Sequence, residues 1–283
     1  MSGCKRLFLF AVYDKDGIID DAVIYYVSEI AKYGDVIVCT DCDCPKKEIE
    51  KLKPYAIHII NGRHGEYDFG SYKRAYQYAR DKKILQNYDV MYMSNDSVFG
   101  PFLDIKQTIK NIENIPTDAA GIAISKHKTH SFMESWFVRI NKKIFISQWF
   151  NDFISNVKHE EQKSLVTIKY EHGLTNVIKN NGCSWGGIYS YSGRSTYNKP
   201  KRLFKRGCPF VKKMSFTRHN GGVGNQIKYI LNHADPVAVM SVKKTANRIY
   251  GEKHMKWLLT YNPLKIFWRN MTYAIQKMKN GKI

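Results

Sequence analysis

Short apolar runs alternate with helical patterns along the N-terminal third of the chain. The apolar runs occupy residues 7–12, 35–39, 57–60 and 90–93. Between them, apolar residues recur at helical spacing over residues 20–33, 46–52 and 71–82. Continuous apolar strands separated by helices are typical of a parallel sheet that helices cover on both faces. The pattern therefore predicts an α/β fold with a Rossmann-type, mostly parallel sheet.

The pattern becomes less regular after Pro101. It predicts a helix over residues 102–112, a strand over 119–124, helical structure over 136–156, a strand over 166–170 and a helix over 172–180. Residues 186–213 are expected to be irregular and basic. Residues 256–279 are expected to form basic amphipathic helices, which Pro263 divides. We expect one α/β domain over residues 1–235 and a C-terminal tail over residues 236–283.

The charge of the chain points to anionic partners. Its formal net charge is +20, from 45 Lys and Arg against 25 Asp and Glu. No acid lies between Glu171 and Asp235, a stretch with eleven Lys or Arg, and Glu252 is the one acid from Ser241 to the end. Nucleotide phosphates or an anionic membrane surface suit such a field. No zinc-finger, homeodomain or RNA-recognition signature is present, so we expect no nucleic-acid partner. A compositional bias of the proteome stays open as an alternative.

The cysteines and the hydropathy suggest a compartment. Six cysteines in a chain of this length do not indicate a disulfide framework. Cys39, Cys42 and Cys44 have a spacing that zinc sites use, but no fourth ligand lies nearby in the sequence. We see neither a signal peptide nor a run of about 18 apolar residues. The expected location is therefore cytoplasmic, peripheral on the inner face of the plasma membrane.

Polar loops follow the apolar runs, at residues 13–17, 61–70 and 94–101. In open α/β sheets, ligands bind outside the carboxyl ends of the strands. Asp96 directly follows a buried run, where a carboxylate can hold a diphosphate through Mg²⁺ or Mn²⁺. An ordinary turn is the alternative, because Asn, Asp and Ser are common turn formers.

The loop at residues 61–70 carries groups that suit a nucleotide. Its glycines let the backbone approach a ligand closely. Arg63 can pair with phosphate, and Asp68 can accept hydrogen bonds from ribose or base. Tyr67 or Phe69 can stack on a base. A Gly-rich loop without a ligand is the alternative for this segment taken alone.

Four segments resemble the rhamnan synthesis F-type glycosyltransferases. They read IINGRHGEYDFGSYKRA, YDVMYMSNDSVFGPF, FMESWFVRI and IKYEHGLTNVIKNNG. The resemblance covers residues 7–213, and the order of YDFG before NDS-x-x-GP is its specific part. It implies a GT-A-like fold and a nucleotide-diphosphate sugar donor, often dTDP-rhamnose. It also implies a growing glycan as acceptor, in the assembly of a cell-envelope polysaccharide, O-antigen or capsule.

The resemblance also implies a donor site. Its expected residues are Tyr13, Asn61, Arg63, Gly65, Tyr67, Asp68, Phe69, Gly70, Lys73, Asn95, Asp96 and Ser97. The wider GT-A group usually has Asp-x-Asp where this chain has Asn-Asp-Ser, with one carboxylate. Asp96 is therefore the expected ligand of Mg²⁺ or Mn²⁺, and strict dependence on the metal stays open.

Two glutamates are candidates for the catalytic base. Many inverting GT-A enzymes place an acid at the start of a helix, and the segment from Tyr170 to Gly182 resembles that arrangement. Glu171 is the expected base, with helix capping as the alternative. Glu134 is the second candidate.

The acceptor side is expected to include His130, Ser135 and Trp136. A buried amphipathic helix is the alternative for this segment. The basic stretch from Arg194 to Arg206 suits a lid over the diphosphate, a contact to a lipid-linked pyrophosphate or a solvated loop. Residues 256–279 suit an anionic membrane surface, or a helix pair that packs on the domain.

These observations favour an enzyme. We expect an inverting glycosyltransferase that moves rhamnose or another hexose from a nucleotide-diphosphate donor to a growing cell-surface polysaccharide or a lipid-linked glycan. The alternative is a non-catalytic scaffold of a polysaccharide-assembly complex, in which the Asn-Asp-Ser tripeptide is a degenerate metal site.

Overall fold

The computed structural model describes residues 3–126, 130–192, 195–217, 221–260 and 263–279. The chain divides into two compact units. Unit 1 comprises Met1–Asp96 and Ile105–Gly193, and unit 2 comprises Ser97–Asp104 and Arg194–Ile283. The expected domain boundary at residue 235 stays a prediction.

The strands run along the chain in this order: β1 Arg6–Val12, β2 Asp35–Thr40, β3 His58–Ile60, β4 Val90–Asn95, β5 Val98–Phe99, β6 Ala119–Lys126, β7 Ser131–Met133, β8 Phe137–Asn141, β9 Trp185–Ser192 and β10 Val211–Lys212.

The α-helices follow the same numbering: α1 Asp21–Ala31, α2 Lys46–Glu50, α3 Tyr67–Asp81, α4 Ile105–Glu113, α5 Lys142–Phe145, α6 Gln148–Ser155, α7 Lys163–Val166, α8 Gly173–Asn180, α9 Ser195–Asn198, α10 Pro200–Lys205, α11 Gly221–Leu231, α12 Pro236–Tyr250, α13 Glu252–Leu258 and α14 Pro263–Lys279. A π-helical turn, Thr167–His172, joins α7 to α8.

The main sheet of unit 1 is mixed. Its strand order is β3-β2-β1-β4-β8-β6-β7, and β9 lies beside β6. Strands β1 to β4 pair in parallel, and β8 is antiparallel to both β4 and β6. Parallel pairing brings the carboxyl ends of β1 to β4 to one edge of the sheet. The expected α/β fold with a mostly parallel sheet is confirmed.

Helices cover both faces because neighbouring side chains of β1 point to opposite sides. Phe10 packs edge-on against Tyr26 of α1, with 4.9 Å between the ring centroids. Leu9 belongs to the core cluster on the other face, together with Phe69 and Tyr72 of α3. All three aromatic rings of these helices are buried, as the continuous apolar run of β1 requires.

Three segments differ from the sequence-based predictions. Residues 136–156, predicted to be helical, begin with strand β8, because Phe137, Val138 and Ile140 fill the sheet between β4 and β6. Residues 166–170 were predicted to form a strand but are helical; their buried Val166 and Tyr170 are four residues apart and share a helix face. Residues 186–213 are not wholly irregular, since β9 pairs in parallel with β6.

Unit 2 contains helices α9 to α14 and the antiparallel pair β5 and β10. Its core includes Val223 and Ile227 of α11, Val242 of α12, and Met255 and Leu258 of α13. Helix α13 ends at Leu258 and α14 begins at Pro263, where the sequence places the break. None of the helices in the described part of the chain is long and apolar enough to cross a membrane.

A glycine pair in β6 and β9 predicts a stability effect. A Cβ on Gly187 would lie 2.6 Å from the carbonyl oxygen of Gly121 and 2.7 Å from Cδ1 of Ile124. A Cβ on the neighbouring Gly186 would meet ordinary contacts, the first at 3.4 Å from Thr117. Gly187→Ala should therefore lower the free energy of unfolding by about 1–3 kcal/mol, and Gly186→Ala should lower it less. Urea unfolding of both variants tests this, and equal losses would contradict it.

Candidate active site

The polar groups predicted to bind a ligand follow the strands that meet at one sheet edge. Ala11 of β1 pairs with Cys39 of β2 on one side and with Asn95 of β4 on the other. Cys39 in turn pairs with Ile60 of β3. The loops that follow β1, β2 and β3, and the end of β4, therefore lie next to one another.

Asp41 organises the loop between β3 and α3. Its carboxylate is buried and accepts hydrogen bonds from the backbone N–H groups of His64 at 2.9 Å, Gly65 at 2.6 Å and Tyr67 at 3.1 Å. Gly65 and Tyr67 both have positive φ, of 71° and 58°. For Tyr67 this left-handed conformation is costly, and the three bonds to Asp41 help to hold it. Asp41 is not among the site residues predicted from the sequence, although it directly follows a buried strand as Asp96 does.

Asn61 joins this loop to the one after β2. Its side-chain oxygen accepts from the backbone N–H of Cys44 at 3.1 Å and from the Thr40 hydroxyl at 2.9 Å. Its amide nitrogen donates to the carbonyl of Cys44 at 2.9 Å. The amide of Asn61 is thus engaged within the protein and positions the two loops.

Arg63 and Tyr13 meet at the exposed edge. The Arg63 guanidinium carbon lies 5.4 Å from the centroid of the Tyr13 ring, which is 47 % exposed. The Nε atom of Arg63 lies 3.6 Å from an oxygen of Asp41. A cation and an open aromatic face side by side can take a phosphate and a flat ring.

The imidazole of His64 is neutral in this loop. Its Nδ1 accepts the backbone N–H of Glu66 at 3.1 Å, so its Nε2 donates to the Ser71 hydroxyl at 3.0 Å. Burial and the nearby charge of Arg74 lower the pKa of His64 to about 4, although the Asp41 carboxylate opposes this shift. The loop thus keeps its hydrogen bonds at neutral pH.

Two residues predicted for the donor site, Phe69 and Gly70, are buried, and a third, Lys73, is half-buried with internal partners. Phe69 is buried against the rings of Tyr72 and Tyr170, at centroid distances of 5.6 and 5.8 Å, so its ring is not open for stacking. Gly70 is buried where a side chain would collide with Glu66. Lys73 donates to the Val157 carbonyl at 2.6 Å and also pairs with Glu66.

Glu66 gathers the positive charges at the start of α3. Its Oε2 lies 2.5 Å from Lys73 and 2.8 Å from Arg74. Burial raises the pKa of Glu66, but the hydrogen bonds from Arg74 and Lys73 outweigh it and hold the pKa below its ordinary value. Lys73 is therefore engaged by internal partners, not held open at the edge.

A buried chain of hydrogen bonds begins at Asp68. The side-chain amide of Asn95 donates one bond to Asp68 at 3.0 Å and one to the Tyr72 hydroxyl at 3.0 Å. The Tyr72 hydroxyl donates to the carbonyl of Ser135 at 3.0 Å. Burial and the charge of Asp68 raise the pKa of Tyr72 well above its ordinary value, so the phenol keeps its proton.

The chain of bonds ends at Glu171. One of its oxygens, Oε1, accepts both the backbone N–H and the hydroxyl of Ser135, each at 2.9 Å. We call the five residues from Asp68 to Glu171 the relay: Asp68, Asn95, Tyr72, Ser135 and Glu171. The structure shows no hydrogen bond to the other oxygen, Oε2, from a described residue.

The relay connects a predicted donor residue to the predicted base. Glu171 is half-buried in the π-helical turn before α8, and π-helical turns are frequent at functional sites. Its hydrogen bonds go to Ser135, not to the N-terminus of α8, which has no side-chain cap. The helix-capping alternative therefore does not describe this residue.

Glu134 and Trp136 lie on either side of Ser135. The indole Nε1 of Trp136 donates to Glu134 at 2.8 Å, and both side chains are buried. This segment follows strand β7, so the alternative of a buried amphipathic helix is wrong. The exposed His130 lies beside His172, with 4.9 Å between the ring centroids.

Asp96 and Ser97 fall on the two sides of the division between the units. Asp96 is buried at 9 % exposure, and its backbone N–H donates to the Ala11 carbonyl at 3.1 Å. Ser97 accepts from Lys212 at 3.4 Å through its hydroxyl. The structure therefore places Asp96, but not Ser97, within the unit that holds the relay.

The described residues include no group of three or more His, Cys, Asp or Glu side chains arranged to hold a metal ion. Cys42 and Cys44 contact each other at 3.4 Å between their sulfur atoms, without such a set around them. Mg²⁺ is commonly bound by one or two carboxylates together with substrate phosphates and water. Asp96 by itself fits that minimal requirement, and the bonds of Asn95 to Asp68 and Tyr72 engage the neighbouring amide.

The predicted basic stretch lies in unit 2, except that Arg194 falls outside the described residues. Lys201 and Lys205 lie over the ring of Tyr229, at 3.9 and 5.4 Å from its centroid. At least these two cations have a partner within unit 2. The lid, the contact to a lipid-linked pyrophosphate and the solvated loop all stay open for this stretch.

The three bonds to Asp41 predict a second stability effect. Asp41→Asn turns an acceptor oxygen into an NH₂ group that faces a backbone N–H, and should lower the free energy of unfolding by about 1–3 kcal/mol. Asp43 is a matched control, because its exposed carboxylate accepts one backbone N–H, from Arg63 at 2.9 Å. Asp43→Asn keeps an acceptor and should cost less. Urea titration of the two variants measures the difference, and an equal effect would argue against the role of Asp41.

Several solved structures resemble the chain at low sequence identity. A protein described as a nucleotide-diphospho-sugar transferase from Desulfovibrio desulfuricans G20 is 16 % identical, with 79 % of this chain and 97 % of that chain covered and a TM-score of 0.40. TarS 1–349 from S. aureus is 10 % identical, with 96 % and 72 % covered and a TM-score of 0.41. Core-mannan synthase A from Aspergillus fumigatus, in its Mn/GDP form, is 6 % identical, with 67 % and 72 % covered and a TM-score of 0.34. We base no functional argument on similarities at this level.

Family membership rests on the sequence. Among proteins with curated descriptions, none matches the chain significantly. The profile of rhamnan synthesis protein F, in contrast, matches residues 36–275. That match includes all five relay residues and most of unit 2. It also extends beyond residue 213, where the resemblance seen in the sequence segments ends. The chain belongs to the rhamnan synthesis protein F family.

Proposed function

We propose that this protein is an inverting glycosyltransferase. It transfers rhamnose or another hexose from a nucleotide-diphosphate donor to a growing cell-surface polysaccharide or a lipid-linked glycan. Membership of the rhamnan synthesis protein F family supports glycosyltransferase activity. The observation that carries the proposal is the relay, because it connects Glu171 to Asp68 through hydrogen bonds of 2.9–3.0 Å.

In this proposal the donor lies along the edge formed by β1 to β4. Arg63 is exposed beside Tyr13 and Asp41 and can pair with a phosphate, and the half-exposed Tyr13 ring can stack on a nucleobase. Asp68 lies at the first turn of α3, where one oxygen accepts from Asn95. Asp96 would hold Mg²⁺ or Mn²⁺, which would offset the charge on the departing nucleoside diphosphate.

Glu171 acts as the general base. Its Oε1 is engaged by Ser135, and its Oε2 takes the proton of the acceptor hydroxyl. The acceptor oxygen forms a bond to the anomeric carbon as the bond from that carbon to the diphosphate oxygen breaks. Attack from the side opposite to the leaving group inverts the anomeric configuration. The products are the extended glycan and the nucleoside diphosphate, and Glu171 retains the proton.

Ser135 positions this base. Two hydrogen bonds from one residue to a single carboxylate oxygen restrict rotation of the side chain and direct the second oxygen away from Ser135. Glu134 is the weaker candidate because it is buried and accepts from Trp136. The ring of His172 lies 4.9 Å from that of His130 and 3.8 Å from that of Phe132, between ring centroids, near the same segment.

Donor binding and slow donor hydrolysis test the proposal. We would measure both for dTDP-rhamnose, UDP-glucose, UDP-galactose, UDP-N-acetylglucosamine and GDP-mannose, with and without Mn²⁺. One donor should bind and release its nucleoside diphosphate. Asp96→Ala should weaken that binding about ten-fold or more.

Asp81→Ala is the control, since this exposed acid is the last residue of α3, at the opposite end of the helix from Asp68. It should bind the donor as the wild type does. Binding without any release of nucleoside diphosphate, or no binding of any donor in the panel, would overturn the enzyme proposal and favour a non-catalytic scaffold.

A further inference from the structure

Helix α14 presents a stripe of apolar side chains to solvent. Its exposed apolar residues are Leu264, Phe267, Trp268, Met271, Ile275 and Met278, with exposed fractions from 38 % to 72 %. At about 3.6 residues per turn, all six fall within an arc of about 100°. Ile266 points to the opposite side and is half-buried, on a helix that packs near α11. The stripe therefore faces away from the packed side of the helix.

Such a stripe needs a partner. Single exposed apolar side chains are common on protein surfaces, but a continuous band with a Phe at one edge and a Trp at the other is not. Trp268 and Phe267 are 61 % and 58 % exposed, more than half of each residue. Covering apolar side chains of this size with another surface lowers the free energy of the system.

The charge of unit 2 selects the partner. From Ser241 to the C-terminus the sequence has ten Lys or Arg and one acid. Lys243, Lys244, Lys253 and Lys256 are exposed in the described part of this segment. A second copy of the chain would bring the same excess of positive charge against this one, which opposes association. An anionic lipid surface attracts it.

We propose that α14 lies along the surface of an anionic lipid bilayer, with its apolar stripe inserted between the headgroups. Tryptophan favours this interfacial depth because its ring is amphipathic. In this proposal α14 rests in the plane of the interface, as amphipathic helices with basic flanks do. The proposal is independent of the proposed transfer activity, and it would bring the chain to the surface at which lipid-linked glycans lie.

Point variants test this better than a truncation. Met255 and Leu258 of α13 are buried in unit 2, and a Cβ on Gly224 would touch the Leu258 carbonyl. Removal of the chain after Tyr250 would therefore damage the core. Phe267 and Trp268 are mostly exposed and lie outside the buried core of unit 2, so changing them together removes few buried contacts.

The experiment uses the full chain and compares one double variant, Phe267→Ser together with Trp268→Ser, with a matched control. The control is Val237→Ser with Met240→Ser, two apolar residues of α12 that are 53 % and 67 % exposed. Co-sedimentation uses vesicles of phosphatidylcholine alone, and vesicles in which about one third of the lipid is phosphatidylglycerol. Thermal unfolding of each variant checks that it folds.

The wild type and the control should bind the anionic vesicles, and about 0.5 M salt should weaken that binding. The α14 double variant should bind them about ten-fold or more weakly, because two aromatic rings no longer insert. Equal binding to neutral vesicles, or an unaffected double variant, would overturn the proposal. Sedimentation equilibrium without lipid measures the oligomeric state. A dimeric wild type with a monomeric double variant would overturn the proposal and show that a second copy of the chain covers the stripe. Donor hydrolysis in solution does not require lipid. Loss of vesicle binding and loss of transfer activity can therefore be distinguished.

Discussion

The candidate site depends on the two hydrogen bonds that the hydroxyl group of Tyr72 makes. This hydroxyl lies in the core of unit 1, accepts a hydrogen bond from Asn95 at 3.0 Å and donates one to the carbonyl of Ser135 at 3.0 Å. These two bonds connect the end of β4 to the residue that holds Glu171. Burying the Tyr72 hydroxyl without hydrogen-bond partners would cost free energy. The two bonds therefore fix the position of Asn95 relative to Ser135. The π-helical turn then presents Glu171 to Ser135.

Local features of the sequence predicted the frame of this site. The apolar runs at β1, β2 and β4 are buried on both faces and cannot be mistaken for exposed strands, and the Asn-Asp pair directly follows the apolar run of β4. The sequence did not predict β8, because its apolar residues continue into α5 and α6 and suit a helix equally well. Asp41 was missed because its role is to accept hydrogen bonds from three backbone N–H groups that lie more than 20 residues away in the sequence. Bonds between distant segments leave no periodic trace in a sequence.

The two units carry different kinds of chemistry. Unit 1 contains the relay and the open pair of Arg63 and Tyr13, which suit a small anionic ligand with a flat ring. Unit 2 carries most of the surplus positive charge and the exposed stripe of α14. The proposed roles follow this division: donor and base in unit 1, and attachment to a lipid surface in unit 2. In the proposed function, a metal held by Asp96 would take its other ligands from the substrate phosphates and water.

The most direct test of this account is the turnover of Glu171→Gln beside that of Glu134→Gln, measured as nucleoside diphosphate release from the bound donor. Glutamine at position 171 can keep both hydrogen bonds from Ser135 through its carbonyl oxygen but cannot take a proton. The account predicts a loss of about 10²–10⁴-fold in turnover for Glu171→Gln, with donor affinity unchanged, and little loss for Glu134→Gln. Turnover near the wild-type rate in Glu171→Gln would contradict it.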